Sequence, residues 1–296
     1  MIVGIFLGLG AALGQSVSYV FSRAFVTQHK EGSYHLMVLA HLIMGFLSAT
    51  ALVLLWPDQI ANPATVFRLV AGAAIFYLIA QTSLFLTLST VEASRIAPLL
   101  GMKVFFLAAL SIPLLGKQLS PVQWSAVILS SAAAALLNRI GGKLPLKSIA
   151  GVAVSVICYS LSDINIKQLI DSLSYLSIAH ASAFSVAALY LLCGIVAVPF
   201  ALIGRKHRPE HWKGATPYAI SWFCGMFFLF SCFATIGVVY GNIVQSTRGI
   251  LSIIIGAAVA HMGHVSLEQK TDKNIFIRRI FAAVLMTAAI VIFYIG

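Results

Sequence analysis

The chain has 296 residues, of which 60% are hydrophobic and only 9% are charged, and its mean hydropathy is +0.98. Because soluble domains carry about 25% charged residues, this composition excludes a water-soluble fold. The apolar runs are long and do not alternate with polar residues, which excludes a membrane β-barrel. The formal net charge of +11 would suit a nucleic-acid or lipid partner, so its meaning depends on where the basic residues lie.

Apolar segments of about 20 residues are long enough to cross a bilayer as α-helices. Little of the chain lies outside such segments, so we expect an all-α polytopic membrane protein with no soluble catalytic domain and no cofactor. In chain order the sequence predicts ten membrane helices: Ile2–Phe25, Leu36–Trp56, Val66–Leu88, Arg95–Leu115, Val122–Asn138, Ile149–Leu169, Ile178–Gly204, Thr216–Val238, Asn242–Met262 and Phe276–Ile295.

The basic residues are distributed unequally when the loops are assigned alternately to the two sides of the membrane. One side receives 14 of them: Arg23, Lys30, Arg95, Arg139, Lys143, Lys147, Arg205, Lys206, Arg208, Lys213, Lys270, Lys273, Arg278 and Arg279. The other side receives Arg68, Lys117 and Lys167, while Lys103 and Arg248 stay inside predicted helices. Basic loops favour the cytoplasm, so both termini are expected outside it. The positive charge therefore indicates topology rather than a nucleic-acid partner.

A polar linker divides the chain near its middle. Residues 139–148, with the sequence RIGGKLPLKS, separate a first unit of five helices (residues 1–138) from a second unit of five (residues 149–296). Because five is odd, the second unit must insert with the opposite orientation. Inverted repeats of this kind are common in secondary transporters. A weak sequence echo supports the repeat: Gly14–Arg23 (GQSVSYVFSR) and Cys158–Lys167 (CYSLSDINIK) share two serines and a final cation.

The region around predicted helices 3 to 5 carries a family resemblance. Its distinctive residues are Glu92-Ala93-Ser94 and Pro98, the run from Leu115 to Ser120 (LGKQLS), and Gln123-Trp124. These features resemble the EamA-type transporters of the drug/metabolite transporter superfamily, over about residues 70–138. The chain departs from that pattern with Lys117 in place of a usual Glu and Ala126 in place of a usual Gly. The resemblance implies a ten-helix carrier of small metabolites, amino acids or drugs, with a central cavity between its halves.

Two intramembrane cations are the first candidates for a substrate site. A lysine at mid-bilayer is costly unless it is paired or faces water. Lys103 lies about eight residues into predicted helix 4, roughly 12 Å deep, so we expect it to contact an anionic substrate group from a central cavity. The alternative is an interhelical ion pair. Arg248, with Gln245 three residues before it, could oppose Lys103 across the repeat axis or could snorkel to the interface.

Asp163 is the carboxylate well inside a predicted span, and it is therefore the candidate for coupling transport to protons. Lys167 lies at i+4 and could instead form an ion pair with Asp163. Such a pair would keep Asp163 ionised, which works against proton coupling.

Several uncharged side chains could line the same cavity. Tyr77 and Gln81 form an i, i+4 pair in predicted helix 3, Gln15 and Tyr19 form one in helix 1, and Trp222 could add an aromatic wall from helix 8. Each of them could equally bind a neighbouring helix.

The sequence predicts no metal site and no enzyme. His261 and His264 lie three residues apart, but no third ligand is evident. The chain has no Gly-rich phosphate loop and no hydrolase or metalloprotease motif, so ATP-driven transport by this chain alone is not expected.

These observations predict a secondary transporter of the bacterial inner membrane, a monomer or homodimer, that works by alternating access. The net positive interior favours a small anionic or zwitterionic metabolite of the amino acid or organic acid class. An exporter of cationic or aromatic drugs centred on Asp163 is the alternative within the class. A channel is a third possibility. An intramembrane enzyme acting on lipids would need a catalytic constellation that one aspartate and scattered histidines do not supply.

The charge distribution makes a topological prediction. A reporter that fluoresces only in the cytoplasm should stay dark when fused after Gly296, whereas a reporter active only outside should work there. Cytoplasmic fluorescence from that fusion would contradict the orientation.

Overall fold

The computed structural model describes residues 1–29, 32–88, 99–116, 118–137, 145–203, 208–261 and 273–296. Within these ranges every regular element is helical. The α-helices are α1 (Ile2–His29), α2 (Ser33–Leu55), α3 (Pro63–Leu88), α4 (Lys103–Leu115), α5 (Pro121–Leu137), α6 (Leu146–Ser172), α7 (Ile178–Ile203), α8 (Pro209–Ile236), α9 (Val238–Gln245), α10 (Arg248–His261) and α11 (Lys273–Ile295). A short 3₁₀ helix, Leu99–Met102, precedes α4.

Six of the described helices are long and apolar enough to cross a membrane by length and composition: α1, α2, α3, α6, α7 and α8. Helix α4 is apolar but shorter. The prediction of an all-helical, multi-pass membrane protein is therefore confirmed for the described part of the chain. The count of ten spans stays a prediction.

Local sequence signals explain where several helices begin and end. Before α5, the Ser120 hydroxyl accepts from the Gln123 backbone N–H at 3.1 Å, while the Gln123 side chain accepts from the Ser120 N–H at 3.1 Å. This is a reciprocal capping box. Proline follows at the first helical position, where its missing N–H costs nothing. Helix α4 ends at Gly116, whose φ of 62° suits glycine and whose N–H bonds the Ile112 carbonyl.

The prediction that helix 9 is one continuous element is wrong. The structure has α9 beginning at Val238, a turn at Ser246 and Thr247, and α10 beginning at Arg248. Both turn residues direct their hydroxyls to backbone carbonyls, Ser246 to Ile243 at 2.6 Å and Thr247 to Val244 at 2.8 Å. Such bonds compete with the backbone hydrogen bonds of a helix. The apolar periodicity of the sequence continues across the turn, so it does not reveal that the helix is interrupted.

Predicted helix 4 also needs a correction. Lys103 is the first residue of α4, directly after the 3₁₀ turn, rather than a residue about eight positions inside an α-helix. The remaining predictions here lie outside the described residues: Arg95 as the start of helix 4, the Glu92-Ala93-Ser94 and Pro98 signals, Lys117, and residues 139–144 of the linker.

Glycines allow two helix pairs to approach closely. A Cβ on Gly45 of α2 would lie 2.8 Å from the Cα of Gly194 in α7, and a Cβ on Gly14 of α1 would lie 2.8 Å from the Cα of Gly225 in α8. Helix association in membranes relies on such close packing because lipid is as apolar as the side chains. These crossings hold the first half of the chain against the second.

The main contacts between helices occur in exchanged pairs. Helix α1 packs on α8, and α3 packs on α6; likewise α1 contacts α10, and α4 contacts α6. The pairs α2–α7 and α5–α11 each join helices that hold the same place in the two predicted five-helix units. If the helices of one predicted unit are exchanged with those of the other, each of these contacts becomes itself or another contact named here.

The α2–α7 crossing can be tested by adding one methyl group. Gly45→Ala would force Cβ against the Gly194 backbone, and overpacking of this kind costs about 1–3 kcal/mol. We expect a lower midpoint of thermal unfolding in detergent. Gly249→Ala is the matched control, because no atom lies within 4 Å of its new Cβ, and it should unfold no earlier than the parent.

Candidate functional site

A buried ion pair links α4 to α6. Lys103 Nζ lies 2.6 Å from Asp163 Oδ2, and the two side chains are only 11% and 5% exposed. Asn242 of α9 donates from Nδ2 to the same carboxylate oxygen at 2.8 Å. Asp163 is therefore shared between helices from different parts of the chain, and its charge is balanced by Lys103. Its expected alternative partner, Lys167, pairs instead with Asp171.

Arg248 occupies a different electrostatic environment. Its Nη1 donates to the side-chain oxygen of Gln15 at 3.0 Å, and Gln245 donates to the same oxygen at 2.9 Å. The Gln15 amide nitrogen lies 3.4 Å from the sulfur of Met226. These partners are all uncharged. Among the described residues Arg248 has no carboxylate within ion-pair distance, so its positive charge is not compensated.

The backbones of the two cations are held by equivalent serines. Ser160 of α6 donates its hydroxyl to the Lys103 carbonyl at 3.4 Å, and Ser16 of α1 donates to the Arg248 carbonyl at 3.0 Å. Each hydroxyl has one proton, which it shares with the nearer carbonyl four residues before it, at 2.8 Å for Ser160 and 2.7 Å for Ser16, so both bonds are bifurcated. Each cation, moreover, is the first residue of an α-helix: Lys103 follows the 3₁₀ turn, and Arg248 follows the turn at Ser246 and Thr247.

The residue before each serine contacts the cation side chain. Tyr159, before Ser160, has Lys103 Nζ 5.6 Å from its ring centroid, within the range of a cation–π interaction. Gln15, before Ser16, accepts from Arg248. Two half-sites can therefore be distinguished: one contains Lys103, Tyr159, Ser160 and Asp163, and the other contains Arg248, Gln15 and Ser16. They share a backbone pattern and differ in side-chain chemistry.

A chain of neutral polar groups extends from Tyr159 into α3. Its hydroxyl donates to Gln81 Oε1 in a short hydrogen bond, and Gln81 Nε2 lies 3.2 Å from the Tyr77 hydroxyl oxygen. The Tyr77 ring then meets Tyr190 of α7 edge-on, with centroids 5.7 Å apart. Gln81 and Tyr77 are both buried, so these hydrogen bonds satisfy groups that lipid could not.

Aromatic side chains of α1, α7 and α8 form a cluster beside these polar groups. Trp222 of α8 donates from Nε1 to the Tyr190 hydroxyl at 2.7 Å, and Tyr218 stacks on Trp222 with centroids 6.0 Å apart. Tyr19 of α1 lies 6.3 Å from Trp222, centroid to centroid. Tyr19 stands one helical turn after Gln15, which accepts from Arg248, so α1 connects these aromatic residues to the Arg248 half-site.

The structure brings most of the sequence-predicted residues into this region. Arg248, Gln245 and Gln15 contact one another directly, Tyr77 and Gln81 form one hydrogen-bonded pair, and Tyr19 meets Trp222. The Lys103–Asp163 ion pair is connected to the Tyr77–Gln81 pair through Tyr159, whose ring lies against Lys103. What these residues bind is not tested by their proximity.

Sequence reasoning missed three members of the network: Asn242, Tyr159 and Tyr190. Tyr159 carried a usable signal, because it holds the place of Gln15 in the echo between predicted helices 1 and 6. Asn242 stood at the first position of predicted helix 9, where an asparagine looks like a cap. Tyr190 sits in the apolar helix α7 with nothing in the sequence to indicate Trp222 as its partner.

A histidine cluster also escaped prediction. His35 Nε2 lies 3.2 Å from His211 Nδ1, and the His29 ring lies 5.2 Å from that of His211, centroid to centroid. The cluster joins the end of α1 to the starts of α2 and α8, away from the ion pair. Within the described ranges no three histidine, cysteine or acidic side chains are arranged to hold a metal ion.

An apolar groove of about 280 Å³ lies among α2, α7 and α8. It is lined by side chains such as Leu55, Phe227 and the exposed Phe228 and Cys224. On a membrane helix such an exposed apolar face meets lipid. The polar network, rather than this groove, is therefore the candidate substrate site.

A multi-pass helical membrane protein with a buried charged network is the class that fold and site define. Residues 2–139 match the profile of the EamA-like transporter family. That family is part of the drug/metabolite transporter superfamily, and the resemblance drawn from the sequence is confirmed for this first half of the chain. At the level of that family, the match supports a membrane transporter, which implies a lipid bilayer and a small-molecule substrate as partners.

The fold has a solved counterpart. A crystal structure matches with a TM-score of 0.72 over 98% of this chain and 95% of that chain, at 12% sequence identity. At this identity the likeness concerns the fold alone. No curated protein matches the chain.

The ion pair can be tested with a double-mutant cycle. Lys103→Met leaves the Asp163 carboxylate buried without its cation, and breaking a buried pair costs about 3–5 kcal/mol. We expect a large drop in the unfolding midpoint in detergent. Adding Asp163→Asn should recover most of it, because the second change removes the stranded charge. If Lys103→Met alone unfolds no earlier than the parent, the pair does not stabilise the fold.

Proposed function

We propose that this protein is a secondary transporter for a small anionic or zwitterionic metabolite of the amino acid or organic acid class. It works by alternating access in the bacterial inner membrane, with both termini outside the cytoplasm. The observation that carries the proposal is Arg248, a cation within the polar network whose described partners are all neutral.

The charges of the network support an anionic group on the substrate. Lys103 and Asp163 balance each other, so Arg248 contributes a net positive charge. A charge inside a membrane protein is costly without a partner, and a substrate carboxylate would supply one. The planar guanidinium also binds carboxylates through two parallel hydrogen bonds. Gln245 adds a neutral donor beside it.

Accessibility within the network is uneven, in a way that suits a binding site. Arg248, Tyr19 and Tyr159 are partly exposed, whereas Gln15 and Gln245 behind them are buried. A substrate can approach the first group, while the second group holds it in position. Lys103, Tyr77, Gln81 and Trp222 are buried around the same region and would contribute to the substrate site as a shell around it.

Alternating access is proposed from the two related halves. The paired serine-to-carbonyl bonds, the matched cations and the exchanged helix contacts all support two inverted five-helix units. In such transporters the substrate lies at the interface of the repeats and the units rock around it. Residues 1–138 and 149–296 are the two units of this proposal.

Asp163 is proposed as the site of proton coupling. Its ion pair with Lys103 keeps the carboxylate ionised in this conformation, so protonation requires a conformation in which Lys103 has moved away. Protonation there would also weaken the bond from Asn242, and so release α4 and α9 from α6. The same pairing disfavours the rival proposal, export of cationic drugs on Asp163, because the carboxylate already has a cation. An intramembrane enzyme is disfavoured at the level of the family, which consists of transporters.

The test is transport by purified protein in liposomes. A thermal-shift screen of amino acids and organic acids in detergent first selects the substrate, and counterflow exchange then distinguishes a carrier from a pore. Arg248→Gln should reduce uptake at least tenfold, because the loss of a charge-assisted bond worth about 1.5–3 kcal/mol corresponds to a factor of ten or more. Arg248→Lys is the matched control. It keeps the charge, loses the planar fork, and should retain part of the activity.

Two results would contradict the proposal. The first is stabilisation by cationic compounds alone in the screen. The second is full uptake of the selected anion by a folded Arg248→Gln variant.

A further inference from the structure

We propose that the substrate carboxylate binds between Arg248 and Tyr19, at the place that Asp163 occupies in the other half of the molecule. The inference rests on the proposed function, because it assigns a location to the anionic group. It follows from a comparison of the two half-sites. Their serine-to-carbonyl bonds match, but the described residues place an acid beside Lys103 and none beside Arg248.

The positional match is defined by hydrogen bonds rather than by sequence alone. Ser16 and Ser160 make the same bond to the carbonyls of Arg248 and Lys103, respectively. This fixes the correspondence between α1 and α6 and between the two cations. The residue three positions after Ser160 is Asp163, and the residue three positions after Ser16 is Tyr19.

The difference between the half-sites is one carboxylate. Asp163 stands one helical turn after Tyr159 and pairs with Lys103 at 2.6 Å. Tyr19 stands one turn after Gln15, on the helix face whose glutamine contacts Arg248. Among the residues that the structure describes, the second half-site therefore has the cation and its backbone bond but no acid. A carboxylate entering there would complete the pair that the first half-site already contains.

The groups around this place are suited to a carboxylate. Arg248 offers parallel N–H donors, and a tyrosine hydroxyl at position 19 can donate to the second oxygen. Both residues are partly exposed. The Trp222 ring lies 6.3 Å from that of Tyr19, centroid to centroid, and adds an aromatic face beside it. With the substrate bound, each half would hold one cation and one carboxylate.

Charged thiol reagents provide a direct probe of this location. Tyr19→Cys is made in a background in which Cys158, Cys193, Cys224 and Cys232 are replaced by alanine. The thiolate attacks the reagent's sulfenyl sulfur, forms a mixed disulfide and releases methanesulfinate. The reagents are the anionic 2-sulfonatoethyl and the cationic 2-(trimethylammonium)ethyl methanethiosulfonates, which differ in the sign of their charge.

We expect the anionic reagent to be favoured about tenfold over the cationic one at this position, relative to the same ratio for a free thiol, because the site's field attracts anions. Adding Arg248→Gln should reduce the preference to less than threefold. Tyr175→Cys is the matched control, since Tyr175 is 50% exposed at the end of α6, and its ratio should not respond to Arg248→Gln.

Three results would overturn the location: no preference for the anion, a preference that survives Arg248→Gln, or no reaction with either reagent. The last would mean that the place is closed to solutes.

A tethered carboxylate tests the same idea without an external reagent. Tyr19→Asp supplies the missing acid. Tyr19→Asn is the control, because asparagine has nearly the same shape as aspartate and carries no charge. The aspartate variant should unfold at a temperature about 3 °C higher than the asparagine variant, and the difference should vanish with Arg248→Gln. It should also lose uptake of the selected anion at least tenfold. Equal unfolding temperatures for the two variants would contradict the proposal.

The outcomes separate this inference from the proposed function. If Arg248→Gln abolishes anion uptake while Tyr19→Asp transports normally, the protein is an anion carrier and the carboxylate binds elsewhere on Arg248. If Arg248→Gln transports normally, the proposed function itself fails.

Discussion

The buried ion pair between Lys103 and Asp163 is the interaction on which the interior of this protein depends. Either charge alone at this depth would be expensive, and together they are tolerable because the geometry is close and Asn242 satisfies a further lone pair. Through these three side chains α4, α6 and α9 are held at one point. The rest of the polar network extends from that point through Tyr159 into α3.

Within the described ranges, the second half of the site repeats the backbone pattern without the acid. A 3₁₀ turn, Leu99–Met102, directly precedes Lys103, and a turn at Ser246 and Thr247 directly precedes Arg248. Irregular backbone at membrane depth is tolerated where protein or a cavity surrounds it. Lys103 and Arg248 each begin the helix that follows such a turn.

The sequence allowed the fold class to be predicted because the apolar segments are long and the charge asymmetry between loops is strong. Most of the site residues could also be named, since each is a polar side chain in an otherwise apolar helix. The break before Arg248 could not be predicted, because Val244, Ile250 and their neighbours keep the apolar pattern on both sides of it. The partner of Asp163 was also missed. Lys167 was near in sequence, whereas Lys103 became the partner only through the packing of α4 on α6.

The glutamine at position 15 shows how the two half-sites can differ without disturbing the fold. Its oxygen accepts from both Arg248 and Gln245, so it stabilises the cation's position without neutralising it. An acid at position 15 would have formed a permanent pair, and Arg248 would then have little free-energy gain left for a substrate. A neutral acceptor keeps the guanidinium oriented, while no described residue compensates its charge. This is the property a carrier needs in order to bind an anion and release it again, because an interaction that is completed only by the substrate is also lost when the substrate leaves.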